Sequence, residues 1–73
     1  MLRKLRQKDI ALGKRVKRLR EQSEKSQEEI ADRTRLTQTY ISLLETGKRR
    51  ASMRTLEKIA SAIGVKVRDL LPY

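Results

Sequence analysis

Gln38, Thr39, Ser42 and Leu43 fall at i, i+1, i+4 and i+5, which places them on one side of an α-helix. None is charged, and their chemistry suits the edges of nucleobases. A glutamine amide both donates and accepts, so it can pair with adenine N6 and N7 together, at about 1–3 kcal/mol of discrimination. A leucine without a core partner can pack on thymine methyl groups. Lys48, Arg49 and Arg50 follow directly and suit phosphate oxygens. Other chemistries are excluded by composition. The chain has no histidine and no cysteine, so disulfides, thiolate or imidazole metal sites and Cys- or His-based catalysis are ruled out. No glycine-rich phosphate loop is present, and the acids read as surface partners on helices. No catalytic residue, metal or cofactor is expected.

These side chains need elements to hold them. Ser26-Gln27-Glu28-Glu29 is a capping box that opens a short helix through about residue 33, with Ile30 and Ala31 inward. Thr34, Arg35 and Leu36 form a three-residue connection. Thr37 caps the next helix, in which Ile41 and Leu44 face inward and which Gly47 ends. A connection this short forces the sharp turn of a helix-turn-helix, whose second helix offers its amino-terminal residues to the major groove. The helix starts at Ser26 and Thr37 can each accept a phosphate, because free N–H groups and partial positive charge gather there.

The rest of the chain frames this pair. Asp9 is expected to cap a first helix over roughly residues 10–22, with Leu12, Val16 and Leu19 as its apolar stripe. Ser52 caps a fourth helix, in which Leu56, Ile59, Ala60 and Ile63 recur at helical spacing and Gly64 closes the end. Val67, Leu70 and Leu71 suggest a last short helix stopped by Pro72. No segment alternates with period two, so the fold is expected to be all-α, without a sheet.

The 73 residues allow one domain with one small core. The domain is expected over residues 9–73, preceded by a basic arm over residues 1–8. With 38% charged and 37% apolar residues, a compact helical domain fits better than disorder. The formal charge is +10, and residues 1–20 hold nine of the cations against one acid, Asp9. Such an excess attracts a polyanion. No apolar run is long enough for a membrane span or a signal peptide, so a cytoplasmic location at the nucleoid and no membrane partner are expected.

Several runs in order resemble the helix-turn-helix domain of phage repressors, Cro and the XRE-type regulators. They are Leu12-Gly13-Lys14-Arg15-Val16, Leu19-Arg20-Glu21, residues 26–31, Tyr40-Ile41-Ser42, residues 45–49, residues 56–60 and Ile63-Gly64-Val65. The resemblance runs from Leu12 to Leu71, about four fifths of the chain. The resemblance implies a compact five-helix bundle of the lambda-repressor-like type. It implies base readout by Gln38, Thr39 and Leu43, nearby phosphate or base contacts from Thr37, Tyr40 and Ser42, and phosphate contacts from Gln27, Lys48 and Arg49, to which the adjacent Arg50 adds a further cation. It further implies that Gln27 braces the recognition helix and that Arg20 and Glu45 form a structural ion pair. The chain departs from the family pattern at Arg35, where glycine is usual, at Ala51, where proline is frequent, at Lys66, where a small capping residue is usual, and at Leu43. If Arg35 is left-handed, it carries a strain of about a kcal/mol.

A single domain of this kind covers little DNA, and operators are commonly two-fold sites. A homodimer on a palindromic double-stranded operator is therefore expected, with Leu70, Leu71 and Tyr73 as its contact. The expected function is a sequence-specific regulator, in the first instance a repressor. The alternatives are an antitoxin or restriction-modification controller that also uses a protein partner, and non-specific binding of an anionic surface through the basic arm.

Overall fold

The computed structural model describes residues 6–73 as five helices. They are α1 (Gln7–Gln22), α2 (Gln27–Thr34), α3 (Gln38–Glu45), α4 (Met53–Ile63) and α5 (Val67–Leu70). No strand occurs among the described residues. Of the arm expected over residues 1–8, residues 1–5 lie outside the described residues. Gln7 and Lys8 are the first residues of α1.

Each helix buries the stripe that its periodicity marks. Val16, Ile30, Ile41, Leu44, Ile59 and Leu70 are fully buried and form one core with Leu12, Leu56, Ala60 and Ile63. α3 packs between α1 and α2, α4 packs on α2 and α5, and α5 returns to α1. α3 is thus held from both sides. No described helix is long and apolar enough to cross a membrane.

The local signals act largely as expected. Ser26 Oγ accepts from the Glu29 N–H at 3.0 Å, and Glu29 Oε1 accepts from the Ser26 N–H at 3.1 Å. This closes the capping box at the start of α2. Thr37 and Ser52 cap α3 and α4 by accepting from Tyr40 N and Thr55 N. Gly64 ends α4 in the left-handed conformation.

Two boundaries differ from expectation. Arg6, not Asp9, is the cap residue of α1, and it makes no side-chain capping bond; Asp9 lies inside the first turn. Thr34 belongs to α2 and is buried, because its hydroxyl donates to the Ile30 carbonyl at 2.7 Å and so needs no water. The connection between α2 and α3 is therefore Arg35, Leu36 and Thr37. Arg35 is left-handed at φ 60°, and Leu36 N donates to the Ala31 carbonyl at 3.0 Å, so arginine occupies the conformation that glycine would adopt without strain. At α5, Lys66 offers no side-chain cap, but Asp69 Oδ2 accepts from its N–H at 2.9 Å.

Two glycines set how closely α1 meets the end of α3. A Cβ on Gly13 would meet the carbonyl oxygens of Leu44 and Glu45, the latter at 2.6 Å. Gly47, at φ 80°, lies against the Ile10 backbone, where a Cβ would come within 2.9 Å of Cα.

Candidate nucleic-acid interface

α3 buries Ile41, Leu44 and Glu45, so its opposite side is left to solvent. That side carries Gln38 and Thr39, both exposed, with Ser42 and Leu43 half-buried. Together with Gln27 from the start of α2, these four residues line one shallow depression of about 270 Å³. The structure thus gathers all four expected base-reading residues and one expected phosphate contact into a single concave surface.

Behind this surface lies a buried polar cluster. Glu45 Oε2 accepts from Arg20 Nε at 2.6 Å, and Glu45 Oε1 accepts from Arg20 Nη2 at 3.0 Å and from Gln27 Nε2 at 2.9 Å. Arg20 Nη1 donates to the Lys25 carbonyl at 2.9 Å. The fork-on-carboxylate geometry is the strong form of an ion pair. The bond to Glu45 is the main cause of a rise in the Arg20 pKa, opposed by burial, so the guanidinium stays charged. One amide hydrogen of Gln27 is engaged and the other remains for an outside acceptor. Gln27 therefore links α2 to the end of α3 and still faces outward.

The loop after α3 carries the cations. Lys48, Arg49 and Arg50 are exposed. The Lys48 N–H donates to the Leu43 carbonyl at 2.9 Å, which ties the loop to the helix end. The half-buried Tyr40 donates its hydroxyl to the Arg50 carbonyl at 2.7 Å. Burial pushes the Tyr40 phenol above its ordinary value, and the hydroxyl oxygen remains free to accept. Thr37 is exposed, with its hydroxyl oxygen engaged as the α3 cap. Arg50 Nε lies 3.3 Å from Asp9 Oδ2.

The residues expected at a dimer contact separate. Leu70 is fully buried and closes the core of its own chain, so its side chain is not available to a second copy. Leu71 is half-buried, and Tyr73 is 67% exposed with the Lys8 ammonium 5.5 Å from its ring centroid.

Sequence reasoning missed the pairing of Asp9 with Arg50 and the close approach at Gly13. Asp9 gave a signal, as the one acid among the first 20 residues. Gly13 gave none, since it reads as an ordinary helix position.

Residues 16–70 match the family described as Helix-turn-helix. The chain belongs to this family and is a DNA-binding transcriptional regulator. It is 40% identical over 65 residues to the control protein C.BamHI of Bacillus amyloliquefaciens, covering 88% of this chain and 80% of that protein. The crystal structure of the restriction-modification controller protein C.AhdI from Aeromonas hydrophila superposes with a TM-score of 0.82 at 31% identity, over 85% of this chain and 94% of that one. SinR, a master regulator for biofilm formation solved in complex with DNA, superposes with a TM-score of 0.75 at 28% identity, over 81% of this chain and 95% of that one.

Proposed function

We propose that this chain is a sequence-specific operator-binding protein that places α3 in the major groove. Gln38, Thr39, Ser42 and Leu43 read base edges there. Gln27, Thr37, Tyr40, Lys48, Arg49 and Arg50 hold the flanking phosphates, and two copies bind a palindromic site. The carrying observation is the shared depression formed by Gln27 and the four reading residues, backed by the buried cluster of Arg20, Glu45 and Gln27. A braced helix with an uncharged, unpaired outer face and a cationic loop beside it suits base readout better than non-specific attraction. The likeness to restriction-modification controllers favours a regulator of nearby genes, working at the nucleoid in the cytoplasm and without enzymatic activity.

The test is selection of bound sites from a random duplex library, followed by Gln38→Ala on the selected site. The expected result is a two-fold site, with a loss of about 1–3 kcal/mol on it for the variant and little change on random DNA. Equal losses on both DNAs would remove Gln38 from base readout.

A further inference from the structure

The cationic loop between α3 and α4 is fastened to its surroundings at three points. Gly47 lies against the Ile10 backbone of α1. The Tyr40 hydroxyl holds the Arg50 carbonyl at 2.7 Å. The Arg50 guanidinium meets Asp9 of α1, Nε to Oδ2, at 3.3 Å. Asp9 is the one carboxylate among nine cations in residues 1–20. Next to a DNA backbone, a carboxylate in that position opposes binding. The pair is also open to solvent, with the Arg50 side chain 48% and the Asp9 side chain 20% accessible, and exposed pairs contribute little to stability. What the contact fixes is direction. A guanidinium is a planar fork of five N–H donors. Asp9 holds it by Nε, and neither Nη group makes a hydrogen bond to the described residues.

We propose that Asp9 is a positioning residue for DNA backbone binding. It holds the Arg50 guanidinium by its Nε edge and so presents the Nη edge to a phosphate oxygen beside the base pairs read by α3. The inference rests on the DNA-binding reading above. Its contribution is order gained before binding, since an immobilised long side chain gives up less rotamer freedom on contact.

The test is fluorescence anisotropy of the full chain on a labelled duplex across a salt series. The proteins are wild type, Asp9→Ala, Asp9→Asn, Arg50→Ala and the two Asp9 variants combined with Arg50→Ala. Alanine and asparagine remove the same charge, but asparagine keeps an acceptor for Nε. Asp9→Ala is expected to bind about three- to tenfold more weakly than Asp9→Asn. Arg50→Ala should lower the slope of log affinity against log salt by about one. In the Arg50→Ala background, the gap between alanine and asparagine should vanish. Equal affinities of the two Asp9 variants, or a gap that persists without Arg50, overturn the proposal. Wild type that binds no duplex overturns the DNA-binding reading itself, which separates the two failures.

Discussion

Glu45 is where most of the buried polar chemistry converges. Its two oxygens accept from Arg20 Nε, Arg20 Nη2 and Gln27 Nε2, while 4% of the residue remains accessible. A carboxylate is acceptor-only, so three charge-assisted or amide donors satisfy it well. Removing it leaves the Arg20 guanidinium buried without its partner, at a cost of about 3–5 kcal/mol. Small domains have about 5–15 kcal/mol in total. Glu45→Ala is therefore expected to shift the urea midpoint down by a large fraction of the transition; a loss under about 1 kcal/mol would mean that water reaches the pair. This partnership spans 25 residues of sequence and is invisible to helical periodicity; only the resemblance to repressor domains marked it. Asp9 and Arg50 stand 41 residues apart and had no such guide. Leu70 was misplaced for a related reason. Its spacing marks an apolar residue on a short helix, but whether that side meets its own core or a second chain depends on where α5 docks.

At the level of the helices, the legible features were those decided within four residues. Ser26, Thr37 and Ser52 were readable as caps because each hydroxyl accepts from a free N–H three residues on, whatever the tertiary fold. The start of α1 was not readable, because its cap has no side-chain bond. Like Glu24 beyond the end of α1, at φ 57°, Arg35 is a non-glycine residue in the left-handed region at a helix terminus, where local chemistry opposes the fold. Its φ of 60° costs an L-residue about 1–2 kcal/mol, which glycine does not incur, although glycine loses more freedom on folding. Arg35→Gly is expected to raise stability by about 0.5–1 kcal/mol in thermal unfolding; a loss would show that the arginine side chain makes up for its backbone. The capping box carries a pH signature. The Ser26 N–H holds the Glu29 carboxyl below its ordinary range. Its stabilising effect is complete above the ordinary glutamate pKa and is lost as pH falls through the lowered folded value. The difference in melting temperature between wild type and Glu29→Ala is expected to be largest near neutral pH and to shrink in acid. A constant difference down to about pH 2 would assign the effect of residue 29 to helix propensity alone.

For the molecule as a whole, charge and symmetry set how binding responds to conditions. The formal charge of +10 predicts strong attraction to any duplex and a steep fall with salt, so charge alone cannot select an operator. In the proposed reading, selectivity rests on the four uncharged residues of α3 that line one depression with Gln27. Two copies on a two-fold site double that surface without a new contact type. In the proposed dimer, the apolar carboxyl end would be the surface for pairing. Leu71 and Tyr73 lie there, while Leu70 is committed to the core. Joining two half-sites through a weak dimer makes occupancy depend on roughly the square of protein concentration, which turns a small change in supply into a sharp change in control. Titration of a two-fold site should accordingly be steeper than titration of an isolated half-site, with a Hill slope approaching two below the dimer dissociation constant. Replacing the exposed tyrosine, as Tyr73→Glu, should raise the concentration needed on the two-fold site while leaving half-site affinity and melting temperature nearly unchanged. Equal steepness on both sites, together with a monomer in sedimentation on and off DNA, would assign the whole of the affinity to one copy.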